Sequence, residues 1–235
     1  MIRFDRVSYR YAGGSDVLSD VSFSIAQGEM AYVTGPSGAG KTTLLRLIAA
    51  LCRASRGQIL VMGQNLSALR PRHVPAFRQR LGMVFQNFNL LYDRTVFDNV
   101  ALPLVIRGYA YSDIGRRVRA ALDAVGLLGK EKMLPLTLSG GEQQRVGIAR
   151  AIVTKPALIL ADEPTGNLDP EMALEIMRAF QRFNEAGVTV LIATHAIDLI
   201  AALPHRIIHL EHGQISDRRP TAASQLKETL AHGAG

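Results

Sequence analysis

The 235-residue chain has a single cysteine, Cys52, and no tryptophan. One thiol cannot build an internal disulfide framework, so the fold must rest on its apolar core, and such usage fits a reducing compartment. Long apolar runs are missing as well. Candidates such as VALPLVI at 100–106 fall well short of the ~18 residues that a spanning helix needs, and this one carries a proline. The opening MIRFDR holds two arginines and an aspartate with no apolar stretch behind them, which does not read as a signal peptide. No internal repeat or low-complexity linker interrupts the chain. These absences predict a cytoplasmic protein.

What is present is ordinary globular material, 48% hydrophobic and 20% charged. The net charge of +7 and pI near 9.9 raise nucleic acid as a ligand. The arginines are dispersed, however, from Arg46 to Arg119, and are not interleaved with aromatics. A solvated surface whose field favours ATP or an anionic membrane face accounts for the charge, and no specific nucleic acid is expected.

Alternating apolar and polar residues in IRFDRVSYRY and VLSDVSFSIAQGE predict early strands around an AGGSD turn. MAYVT at 30–34 reads as a buried strand, and TTLLRLIAALC places Leu44, Leu45, Ile48, Leu51 and Cys52 at helical spacing. GQILVMG is strand-like. Residues 88–137 read as mostly helical, with RRVRAALDAVGLL the clearest amphipathic run. Two apolar strands, ALILAD and VTVLIATH, alternate with helices, and IIHLEHGQI reads as a closing hairpin. The expected organisation is one α/β domain over 1–215, with a helical portion near 88–155 and a loose tail over 216–235. His205, His209 and His212 fit no motif and read as structural or surface residues.

GPSGAGKT at 35–42 fits G-x-x-x-x-G-K-[ST] between a strand and a helix. Gly35, Pro36, Ser37, Gly38, Ala39 and Gly40 let the backbone wrap so that successive N–H groups face a polyphosphate. Lys41 would neutralise its β/γ charge, and the Thr42 hydroxyl would bind magnesium, with Thr43 beside it. LILADE at 158–163 supplies the acidic half: Asp162 to hold the metal, Glu163 to act as general base on a water. LSGGEQQR at 138–145 raises a second anion site. Ser139 and Glu142 can form a capping box, leaving a helix dipole aimed outward, with Val146, Ala149 and Val153 as its buried face.

With these motifs in order, the chain resembles the ATP-binding cassette (ABC) ATPases over nearly its whole length. The resemblance implies a P-loop NTPase core with an N-terminal antiparallel β subdomain and an inserted helical subdomain. It places Gln86 at the family's glutamine loop, near the metal and the reacting water. LSGGEQQR takes the place of the signature, NLD at 167–169 (with Asp169) the dimer-facing loop, His195 the switch histidine, and Tyr11 the aromatic that stacks on adenine. In that family two cassettes pack head to tail, so Ser139, Gly140 and Gly141 are implied to meet the ATP held by a second copy. Glu142 stands where the signature often has Gln; the contact carried by Ser139 and the backbone is expected to survive this. Ala196 follows His195 where many relatives are acidic.

Within the family, MVFQNFNLLYDRTVFDNVALPL, with HVPAFRQRLG before it and ADEPTGNLD after it, is similar to the branch that serves bacterial cell division. This implies an ATPase on the inner face of the membrane, attached through an integral membrane partner, that controls cell-wall hydrolases. ADEPTGNLD is shared with lipoprotein-release and macrolide-export ATPases, which stay open as alternatives. A soluble nucleic-acid or translation factor is disfavoured by the single set of motifs. The apolar residues Phe88, Leu90, Leu91, Tyr92, Val96, Phe97 and Leu104 mark the segment that would border the partner's docking helix.

Overall fold

The computed structural model describes residues 1–166 and 168–218. Two sheets organise them. Strands β1 (Ile2–Arg10), β2 (Asp16–Ile25), β4 (Arg56–Val61) and β5 (Gln64–Asn65) form an antiparallel sheet in the order β2-β1-β4-β5. The second sheet holds six strands in the order β10-β9-β3-β8-β7-β6. Its members are β3 (Met30–Thr34), β6 (Leu81–Val84), β7 (Leu158–Asp162), β8 (Thr189–Ala193), β9 (Arg206–Glu211) and β10 (Gln214–Arg218). All neighbours are parallel except the β9–β10 hairpin, which turns through His212 and Gly213, both with positive φ.

Strand periodicity decides which core each residue joins. On β3, Met30 and Tyr32 face one side and Ala31 and Val33 the other; on β7, Ile159 and Ala161 oppose Leu158 and Leu160. The side with Tyr32 packs α3 (Val96–Ile106), α4 (Tyr111–Ala124), α5 (Gly140–Ile152) and α6 (Pro170–Glu185). The other side packs α1 (Lys41–Ile48) and the antiparallel sheet. Short helices α2 (Val74–Arg78) and α7 (Ile197–Ala202) complete the set. A sheet apolar on both faces is what parallel strands require.

The amphipathic run forms α4, burying Ile114, Val118, Ala121 and Leu122. The helix after the phosphate loop is shorter than its spacing predicts. It ends at Ile48, Ala50 takes φ 53°, and Leu51 and Cys52 lie beyond it. The stretch from 85 to 95 is also not helical. Its turns are held by the fully buried Asn99, which accepts from the Leu91 N–H and donates to the carbonyls of Leu91, Arg94 and Thr95. Strand β10 runs to Arg218, three residues into the segment expected to be a loose tail, because those residues pair with Ile207, Ile208 and His209 of β9. The rest of that segment lies outside the described residues.

Candidate active site

Four adjacent parallel strands, β3, β8, β7 and β6, each end in a candidate residue. The phosphate loop follows β3, Thr194 and His195 follow β8, Asp162 and Glu163 close β7, and Gln86 lies two residues beyond β6. Open α/β sheets bind ligands outside the carboxyl ends of their strands. Residues scattered over more than a hundred positions of sequence therefore meet in one place.

The loop's path depends on Gly35. Its φ is 144°, and a Cβ there would lie 2.1 Å from the Leu210 carbonyl oxygen. Gly40, at φ 102°, is the N-cap of α1 and offers no side-chain cap, so the first-turn N–H groups of that helix remain free for an anion. The Lys41 ammonium is buried and donates to the carbonyls of Gly35 (2.8 Å) and Pro36 (3.1 Å). It also lies 3.8 Å from Glu163 Oε1. Thr42 donates its hydroxyl to Asp162 Oδ1 at 3.1 Å. Burial raises the Asp162 pKa above the ordinary carboxylate value; the Thr42 hydrogen bond works against this and the Glu163 charge adds to it.

Glu163 is unusual in two ways. Its φ is 46°, a left-handed conformation that costs a non-glycine residue roughly 1 kcal/mol or more. Its Oε1 is 2.9 Å from His195 Nδ1, whereas its Oε2 is buried without a hydrogen-bond partner. A buried carboxylate oxygen left unpaired is costly and points to a ligand, such as a water, that the site is shaped to take. The exposed Gln86 side chain borders the same turn, its amide nitrogen 3.8 Å from where a Gly166 Cβ would stand.

Tyr11 donates to or accepts from the Thr43 hydroxyl at 3.0 Å, and its ring meets Tyr9 edge-on at 4.9 Å. Its exposed face remains free for a base. This ties the adenine candidate to the first turn of α1.

The signature is built separately. Ser139 Oγ accepts from the Glu142 N–H (3.3 Å) and Glu142 Oε2 accepts from the Ser139 N–H (3.0 Å), the expected capping box. Val146, Ala149 and Val153 are buried behind it. The hydrogen bonds of Ser139, including the Gln143 N–H to its carbonyl (2.9 Å), all stay within the first turn of α5, and none of them reaches the phosphate loop. Gly140 is open, and Gly141 packs on Met172 of α6, whose N-cap is Asp169. Asn167 lies outside the described residues.

Sequence reasoning missed three participants. Lys130 pairs with Glu142, and Met172 covers Gly141; neither carries a local signal. The Thr95–Asp98 capping box that starts α3 was readable as T-x-x-D before an apolar run. Of the three unassigned histidines, His209 bonds Thr34 Oγ1 at 3.0 Å and His205 packs edge-on against Tyr32, so both are structural, and His212 sits exposed in the hairpin turn.

Among the described residues no helix is long and apolar enough to cross a membrane. The ABC transporter family profile matches residues 18–166. The cell division ATP-binding protein FtsE of Escherichia coli is 55% identical over 215 residues, 92% of this chain and 97% of that protein. The protein of that name from Mycobacterium tuberculosis is 45% identical over 92% of this chain and 94% of its own. The dimeric ABC transporter cassette MJ0796 superposes with a TM-score of 0.86 at 34% identity, over 94% of this chain and all (100%) of that one. The same cassette in a dimeric post-hydrolysis state, bound to ADP and Pi, gives 0.85 at 32% identity, over 94% of this chain and 100% of that one.

Proposed function

We propose a cell-division role and a set of residue assignments for this chain, which belongs to the ABC transporter family and is an ABC-type ATPase, binding ATP and hydrolysing it to ADP and phosphate. The observation that carries the assignment of chemistry is Glu163. One of its oxygens is held by His195, and the other is buried, unpaired and next to the phosphate loop. It acts as general base on the attacking water, and His195 orients it. Lys41 leaves the loop carbonyls for the β/γ-phosphates, the loop N–H groups from Gly35 to Thr43 cradle the chain of phosphates, and Tyr11 stacks on adenine.

Thr42 and Asp162 fit Mg²⁺. They are two hard oxygens 3.1 Å apart at the strand end, and among the described residues no group of three or more His, Cys, Asp or Glu side chains could cage a metal alone. Gln86, phosphates and water would complete this two-oxygen site, the kind of oxygen set that magnesium favours. The ion supplies neutralisation of phosphate charge.

The signature, Ser139 to Gly141, serves the ATP of a second copy, with Asp169 near the seam; no hydrogen bond ties Ser139 to its own phosphate loop. The fold is that of cassettes solved as dimers, which supports pairing of two copies; the head-to-tail arrangement is part of this proposal. The relatives named for cell division support an FtsE-type role: the ATPase works at the inner membrane face with an FtsX-type membrane partner to control cell-wall hydrolases. Leu90, Val96 and Leu104 are core, whereas Leu91 (41% exposed) and Tyr92 (44%) stand on the surface, where a partner helix can reach them. Polar substitution at Leu91 is expected to weaken co-purification with the membrane partner and to spare ATP binding. Full partner binding by a folded Leu91→Glu variant would move the docking surface elsewhere.

The chemistry is tested with Glu163→Gln. Turnover should fall by roughly 10²–10⁴ with ATP still bound, since the shape is kept and only the base is lost. A fall of less than about tenfold would assign the base to another group.

A further inference from the structure

The signature carries a charge problem that the fold solves with a residue from outside it. Glu142 is the third residue of α5, and its carboxylate is only 17% exposed. A helix N-terminus offers about half a positive charge to an anion, and a carboxylate in the first turn more than cancels it. Yet this is the end that would receive a triphosphate. Lys130 resolves the conflict. Its ammonium forms an ion pair with Glu142 Oε1, while Glu142 Oε2 holds the Ser139 N–H.

The ion pair is not what holds Lys130 in place. Its segment is fastened by backbone bonds from the Phe97 N–H to the Glu131 carbonyl and from the Val96 N–H to the Met133 carbonyl, both 2.8 Å. The Arg119–Glu131 pair at 3.0 Å adds a tie to α4. The backbone therefore delivers Lys130 to Glu142 independently of the bridge. The Lys130 bridge, then the Ser139 N–H, pull the Glu142 pKa below the ordinary carboxylate value, so the charge to be neutralised is permanent near neutral pH.

We propose that Lys130 is a positioning residue for the shared site: by neutralising Glu142 it keeps the Ser139 end of α5 able to accept the triphosphate held by a second copy. This rests on the head-to-tail reading above. With Lys130 the local balance is the helix dipole alone, net positive. Without it the balance is net negative, and Glu142→Gln should restore it, because Gln can still accept the Ser139 N–H.

The experiment measures dimer formation by light scattering against protein concentration, at saturating MgATP, in the Glu163→Gln background. Lys130→Met should raise the concentration for half-dimerisation by roughly tenfold, the effect of one partly screened charge acting twice per dimer. Glu142→Gln alone should match or improve on the background, and Lys130→Met/Glu142→Gln together should return to it. Three results overturn the inference: no shift with Lys130→Met, a Glu142→Gln defect as large as that of Lys130→Met, or a double variant as weak as Lys130→Met. The second would make the bridge a structural tie. If the Glu163→Gln background itself stays monomeric with ATP, the head-to-tail reading fails and takes the inference with it.

Discussion

The phosphate loop and the signature each present glycines at a helix N-terminus, but the first is pressed by distant backbone and the second by one flexible side chain, Met172 over Gly141. Gly35 lies against the Leu210 backbone, and a Cβ added to Gly40 would lie 3.0 Å from Val17 Cγ1, so β9 and β2 both press on the loop. Beside Gly140 a Cβ would meet nothing nearer than Phe88 at 4.0 Å, and Ser139 bonds only within its own turn. The first site is shaped by long-range packing, and in the proposed assignment one chain supplies its whole phosphate cradle. The second is shaped by its own capping box, the Lys130–Glu142 pair and Met172 over Gly141. On the proposed reading, the contrast is between a site that receives ATP and one that serves the ATP of a second copy.

The sharpest way to break the contrast is to add the same methyl group to both. Gly35→Ala meets backbone at 2.1 Å with φ at 144°, and nothing there can yield. The cost should exceed about 3 kcal/mol and leave little folded protein, measured by denaturant unfolding. Gly141→Ala also meets a close contact, Met172 Cγ at 2.8 Å, but a methionine side chain repacks. Its overpacking cost of about 1 kcal/mol is offset by a helix-propensity gain of similar size. Monomer stability should hardly change, while the ATP-dependent dimer weakens. Equal unfolding of the two variants would erase the distinction drawn here.

A smaller effect separates stability from function inside the first site. The Asp162 carboxyl has a folded pKa raised by burial, so the native state binds its proton more tightly than the unfolded chain. Stability from this group therefore falls as pH rises from the ordinary carboxylate pKa through the raised one, and the penalty persists above it. Asp162→Asn should raise the Tm of the nucleotide-free protein near neutral pH and remove the extra stabilisation that Mg²⁺ adds to ATP. A lower Tm would mean that Asp162 is held by favourable contacts rather than tolerated.

How legible all this was in the sequence follows the same division. The capping box S-x-x-E, the phosphate loop and the apolar strand ending in Asp162 and Glu163 are local patterns, and each stands where its spacing placed it. Helix ends were less legible: the apolar period runs on through Leu51 and Cys52, but the left-handed Ala50 stops α1 first. The non-helical stretch before α3 depends on one buried asparagine, Asn99, whose four hydrogen bonds no window of sequence reveals. The Lys130–Glu142 and Arg206–Glu29 pairs join segments by packing alone. Composition could name the charges but not their partners.

The central claim is that each signature serves the nucleotide of the other copy. It is tested by mixing two inactive variants, Lys41→Ala and Ser139→Arg, and measuring ATPase turnover at saturating MgATP. In a head-to-tail pair, a mixed dimer joins the intact phosphate loop of one copy to the intact signature of the other, so activity should return to a fraction of the parent's. If Ser139 served its own chain's nucleotide, every copy would stay inactive, and a mixture as dead as its components would contradict the account.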